Sequence, residues 1–178
     1  MLDRWCEVGI LGLVLAILVF GPLAMGAVDA PAFLVVQGLT IGVMLLWAVR
    51  IWAGPKPQLL WPPICWVVLA FMIYAVARYL TADIEYVARL EMIQVVMYAF
   101  LFLDIVNNLY RQEMAQIIGF TLIFLAMVIS ASAVCQFFTH SNRVWNSISP
   151  YAGRASGTYI SPNNLAGFLE RLLPLAAA

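Results

Sequence analysis

A chain of 178 residues that is 65% hydrophobic and 10% charged, with a mean hydropathy of +0.96, lies far outside the composition of water-soluble domains, which are about half apolar and a quarter charged. So few polar residues cannot cover so many apolar ones, and the composition points to a bilayer as the solvent. Nine basic and nine acidic residues give zero net charge, so nothing in the overall charge suggests nucleic acid or a general affinity for anionic surfaces.

Arg4 precedes an apolar run over residues 8–20 and small residues at 24–27. The pattern loosely resembles a signal peptide, but further apolar runs follow at once and make a signal anchor the better reading. A spanning helix needs about 20 mainly apolar residues to cross about 30 Å of hydrocarbon. Five runs reach that length, at approximately 8–28, 32–53, 61–80, 87–108 and 115–138. Gly21-Pro22 predicts a kink in the first, because proline removes a helix hydrogen bond and clashes with the preceding turn. The separators at 29–31, 54–57, 81–85 and 110–113 are short, so neighbouring runs are expected to form antiparallel hairpins. Most of the tryptophans fall near run ends, where an amphipathic ring sits at the headgroup level. Cys6, Cys65 and Cys135 are far apart and lack the close Cys or His neighbours of a metal site, so they read as small apolar residues.

The fifth connection, 139–161, is polar and much longer than the others. A sixth apolar run opens at Pro162 or Asn163 and reaches residue 178, about 24 Å at a rise of about 1.5 Å per residue. That is short of a crossing, so further spans are expected beyond it. The expected fold is therefore all-α: a single polytopic transmembrane helix bundle over 1–178, incomplete, with five complete spans and the start of a sixth. Charge does not set its orientation. With a cytoplasmic N-terminus, Arg4, Arg50, Lys56 and Arg111 lie inside and Arg78, Arg89, Arg143 and Arg154 outside. Arginines against the positive-inside bias would be explained if they recruit an anion.

Ser161 suits a helix N-cap and Pro162 the first helical position, so the loop feeds a helix start whose unpaired amides and dipole favour phosphate. Arg154 adds a fork-shaped cation suited to phosphate oxygens, Gly153 and Gly157 permit close backbone approach, and Tyr159 can stack on a sugar face. The same residues also fit a tight interfacial turn with a snorkelling arginine. Arg78 and Arg89 flank the third separator on the same side as Arg154 in an up-and-down topology. Alternatively they pair locally, Arg89 with Glu85 and Arg78 with Asp83. Glu170 shares a helix face with Asn163 and Gly167, and either lines a substrate cavity or holds an arginine. His140, the only histidine, reads as a surface residue. Asp104, Asn107, Asn108 and Arg111 form a polar stripe that reads as an interfacial anchor.

The pattern Arg154-x-Ser156-Gly157-Thr158-Tyr159-x-x-Pro162-Asn163-x-Leu165-Ala166-Gly167-Phe168-Leu169-Glu170, continuing to Leu173-Pro174, resembles the signature of the O-antigen ligase and polymerase superfamily of bacterial envelope glycosyltransferases. Arg171 departs from it, since a neutral residue is expected there. The resemblance implies a multi-pass protein of the inner membrane with 139–161 on the periplasmic side. It implies transfer of a glycan from undecaprenyl pyrophosphate to lipid A core or another glycan acceptor, with membrane lipid but no nucleic acid as partner and with neither cofactor nor metal. Arg154, Arg78, Arg89, Tyr159, Asn163 and Glu170 are the candidate substrate-binding residues. The catalytic base is expected outside these 178 residues, so they alone are expected to be inactive. A polymerase acting on the same lipid, or a non-catalytic transporter or scaffold, remains open; broken helices also occur in transporters.

Overall fold

The computed structural model describes residues 2–53, 59–141, 143–145, 147–151 and 153–177. The expected turn at 54–57 lies outside them. Six helices carry the described chain: α1 (Leu2–Leu23), α2 (Ala30–Ala53), α3 (Ile64–Leu80), α4 (Glu85–Asn108), α5 (Gln112–Phe138) and α6 (Pro162–Ala177). Between α5 and α6 a two-residue antiparallel pair, β1 (Arg143–Val144) and β2 (Ser147–Ile148), matches Arg143 with Ile148 and Val144 with Ser147.

Four of these helices, α1, α2, α4 and α5, are long and apolar enough to cross a membrane, by length and composition. The expectation of five complete spans is corrected at α3. Pro62 and Pro63 have no N–H to give, so the helix begins only at Ile64, with the Cys65 and Trp66 amides taken up by the Pro62 and Pro63 carbonyls. Its 17 residues cover about 25 Å at about 1.5 Å each, short of about 30 Å of hydrocarbon. The kink expected at Gly21-Pro22 is a terminus instead. The Gly26 amide closes back on the Gly21 carbonyl at 2.9 Å, and Met25, Gly26 and Ala27 all have positive φ, a left-handed run that no helix continues through.

The chain divides into two compact units, Met1–Leu13 with Thr40–Tyr110, and Val14–Leu39 with Arg111–Ala178. In the first, α3 and α4 pack as a hairpin across the short 81–84 connection. α1 and α2 approach closely through glycines: a Cβ on Gly9 would stand 3.0 Å from Leu46 Cδ1, and one on Gly42 3.3 Å from Leu13 Cδ1.

The polar stripe of α4 faces inward in this unit. Asp104 is 0% exposed, and Asn107 and Asn108 are buried with it. Asn108 donates through Nδ2 to Asp104 Oδ1 at 2.8 Å and to the Asp104 carbonyl at 3.0 Å, and its Oδ1 accepts from Arg50 Nη1 at 2.8 Å. Asn107 accepts the Leu60 amide at 2.7 Å, tying the segment before α3 to the end of α4. A stripe that reads as an interfacial anchor is thus a buried latch joining α2, the approach to α3, and α4. Asn108→Ala would leave the Asp104 carboxyl without its side-chain donor in an apolar surround, a loss of about 1–3 kcal/mol. The expected result is a lower thermal midpoint in detergent, read by tryptophan fluorescence; an unchanged midpoint would show that the latch carries no stability.

In the second unit α5 and α6 pack together. Leu125, Ile129 and Ala133 lie four residues apart along one face of α5, and their cluster includes Tyr159 and Leu165, with Val19, Leu23, Phe168 and Leu169 against it. This core sits beneath the 139–161 connection.

Candidate functional site: the loop between α5 and α6

The long connection is docked rather than loose, and the carbonyls at the end of α1 explain part of the docking. The last carbonyls of a helix have no partner within it. At α1, the turn amides of Gly26 and Ala27 go to Gly21 and Ala24, leaving the Pro22 and Leu23 carbonyls for other donors. Thr158 Oγ1 donates to the first at 2.8 Å, and the Trp145 indole N–H to the second at 3.1 Å. Two separate points of the loop thereby close one helix end.

The firmest clamp comes from α5. Gln136 Oε1 accepts the Ser156 amide at 3.2 Å and the Gly157 amide at 2.9 Å, while its Nε2 donates to the Gly157 carbonyl at 2.7 Å. One amide side chain satisfies three backbone groups of a buried peptide, which would otherwise be left unpaired at a cost. Ser149 Oγ adds a bond to the Ile160 carbonyl at 2.8 Å. Gly157 lies directly on α5 with φ +60°, where a Cβ would meet Ile129 Cγ2 at 3.2 Å and the Ile129 carbonyl oxygen at 3.3 Å. The close approach expected of this glycine is therefore to a neighbouring helix, and it leaves no room for a phosphate on that side.

α6 starts at Pro162, as the sequence predicts. The Ser161 carbonyl accepts the Asn164 amide at 3.1 Å and the Leu165 amide at 3.4 Å, whereas its hydroxyl makes no hydrogen bond among the described residues. Leu165 is buried while Phe168, Leu169 and Leu172 are half-buried, so one stripe of α6 faces the unit's core. Asn163, Glu170 and Arg171 are exposed on the rest of it.

Within this frame the candidate residues separate. Arg154 stands exposed in a turn closed by its own amide on the Tyr151 carbonyl, and its guanidinium has no hydrogen bond or ion pair among the described residues. Asn163 is exposed in the first turn of α6. Glu170 is exposed and holds no arginine among the described residues, so the expected ion pair is not formed. Tyr159 is only 7% exposed; its ring lies 5.8 Å from Phe168, with Gly26 backed against its edge. It packs the loop onto the helices, and its ring is not presented for a sugar to stack on. Arg78 and Arg89 belong to the other unit, where both are exposed. Their local pairings with Asp83 and Glu85 are not formed; Glu85 instead accepts from the Tyr79 hydroxyl at 3.3 Å.

Gln136, Trp145 and Ser149 escaped the sequence reading. The signal was present for Gln136, a strongly polar side chain that follows the long apolar middle of α5, where such groups need a built-in partner. Trp145 and Ser149 carry no such mark, because tryptophan and serine are ordinary in an interfacial loop.

Burial pushes the Tyr159 phenol above its ordinary pKa of about 10. The folded loop thus holds the proton more tightly than an undocked one does. The stabilisation from neutral Tyr159 is complete below about pH 10 and is lost as pH rises through the raised folded value. Protease nicking of the 139–161 loop should accelerate in that alkaline window in the native protein, and Tyr159→Phe should flatten the dependence. Equal acceleration in both proteins would exclude Tyr159 as its source.

Comparison with protein-family models, with curated proteins and with solved structures finds no match to this chain.

Proposed function

We propose that this chain is a polytopic membrane protein of the bacterial inner membrane, with the 139–161 loop on the periplasmic side. We further propose that it belongs to a glycosyltransferase of the O-antigen ligase type. The apolar outer faces support the membrane setting: Trp52, Phe120, Phe124 and Met127 are all exposed, a surface that hydrocarbon solvates and water does not. The observation that carries the second part is an unpaired guanidinium on a rigid loop. Arg154 stands two residues before a peptide that shares three hydrogen bonds with Gln136, two accepted and one donated by its side chain. The backbone that carries the cation is already ordered before an anionic headgroup arrives, so only the side chain loses freedom on meeting it.

The chemistry that fits is transfer from a polyprenyl diphosphate. An acceptor hydroxyl oxygen forms a new bond to the anomeric carbon as the bond from that carbon to the diphosphate oxygen breaks. The hydroxyl proton passes to a base, and the diphosphate leaves with greater negative charge. Arg154 stabilises that developing charge, and the exposed start of α6 around Asn163 lies next in the chain to receive the glycan. Arg78 shares its surroundings with Glu91, a carboxylate that repels a diphosphate, so the reading rests on Arg154.

The test supplies the purified full-length protein with glycan on undecaprenyl pyrophosphate and with lipid A core. Glycan appearing on lipid A core is the expected product. Chains lengthened while still on undecaprenyl pyrophosphate would identify a polymerase instead, and flux across proteoliposomes without bond formation would replace the transferase with a transporter.

A further inference from the structure

The α3–α4 hairpin holds a groove of about 270 Å³ near its turn. Its lining follows helical spacing: Phe71, Tyr74 and Arg78 on α3 face Glu91, Met92 and Val95 on α4. Alanines interspersed among them, Ala75, Ala82 and Ala88, open the space between the helices. The groove is graded along its length. Arg78 lies in the last turn of α3, while Phe71 is seven residues deeper along the helix, about 10 Å at about 1.5 Å per residue. The Phe71 and Tyr74 rings stack at 6.2 Å and 27°, making a flat aromatic wall.

Arg78 and Glu91 line the same groove, yet neither side chain makes an ion pair or hydrogen bond among the described residues, with each other or with anything else. A groove that presents one exposed cation, one exposed anion, neither paired among the described residues, and an aromatic wall running into an apolar helix pair has a definite complement. We infer that the α3–α4 groove binds a zwitterionic phospholipid with a phosphoethanolamine headgroup, its phosphate on Arg78, its ammonium on Glu91 and an acyl chain along Phe71, Tyr74 and Val95. The guanidinium suits phosphate oxygens. The Glu91 carboxylate accepts from the N–H groups of a primary ammonium, whereas a quaternary choline has no N–H to donate, and the carboxylate repels a headgroup whose only charge is negative. The inference needs only the membrane setting and is independent of glycan transfer.

Native mass spectrometry of the full-length protein, purified in detergent and titrated with phosphatidylethanolamine, phosphatidylcholine or phosphatidylglycerol of matched chains, tests it. Phosphatidylethanolamine should be retained about tenfold more than phosphatidylglycerol, the scale of one charge-assisted hydrogen bond. Glu91→Gln, a nearly isosteric change at an exposed position that leaves folding intact, should abolish that preference, and Arg78→Ala should lower retention of every phospholipid. Arg154→Ala should leave the preference unchanged, which separates this site from the diphosphate site. Phosphatidylglycerol retained as well as phosphatidylethanolamine by the native protein, a preference that survives Glu91→Gln, or no retained lipid at all would each overturn the assignment.

Discussion

On the proposed function, Arg154→Ala should lower glycan transfer about 10²–10³-fold, the scale of removing one preorganised donor from a developing anion. Folding should be untouched, because the guanidinium makes no hydrogen bond or ion pair among the described residues and the loop is held through Gln136, Thr158, Trp145 and Ser149. The two outcomes together distinguish a ligand from a strut: a structural arginine would lower the melting temperature with the rate. Arg154→Lys sharpens the test. Lysine keeps the charge but not the planar fork, so a diphosphate clamped through two parallel bonds should lose about tenfold or more, whereas simple charge attraction would be fully restored. Transfer that survives Arg154→Ala at the native rate removes this residue from the chemistry and the proposed function with it. Banded lipopolysaccharide on a gel, from a strain lacking its own enzyme, gives the same answer in cells.

Helix ends were legible wherever they are decided locally. The predicted ends at Ala53, Leu80, Asn108 and Phe138 coincide with those of α2, α3, α4 and α5, because each apolar run there meets turn-forming or charged residues. Pro162 opens α6 for the same local reason, its ring fixing φ where no amide partner is needed. The beginning of α3 and the end of α1 were misplaced although their prolines were visible, and α1 begins at Leu2, six residues before the expected run. A run begun at Trp61 includes Pro62 and Pro63, which the helix does not use, and an apolar pattern cannot tell a kinked helix from one that ends just after Pro22.

Features that depend on distant partners were not legible. Asp104, Asn107 and Asn108 look alike as an interfacial stripe or as a buried latch until Arg50, 58 residues away from Asn108, is seen to reach them. Tyr159 has the right chemistry for sugar stacking and for core packing, and only the position of Phe168 and of Gly26 decides between them. Of the candidate site, therefore, the loop and its exposed arginine could be read in advance. The division of labour within the motif, in which Ser156 to Tyr159 anchor and Arg154 is offered outward, required the fold.

That division predicts unequal costs for two glycines of the same motif. Both have positive φ, +75° at Gly153 and +60° at Gly157, so alanine at either is strained by about 1–2 kcal/mol. A Cβ on Gly153 would meet nothing within 4 Å, and its cost should stop there. At Gly157 the same atom would press on Ile129, which is 0% exposed and backed by its own helix, so the neighbour has little room to give. Overpacking of that kind adds about 1–3 kcal/mol. Separating the peptide from α5 would also stretch the bonds to Gln136 that hold Arg154 in place. Gly157→Ala should therefore cost about 2–5 kcal/mol by strain and overpacking together, expose the 139–161 loop to protease, and depress transfer even with Arg154 present. Gly153→Ala should keep the loop protected and most of the activity. Equal sensitivity of the two variants to protease would mean that the loop is not held on α5 through Gly157, and Arg154 would then lose the rigid mount on which its role depends.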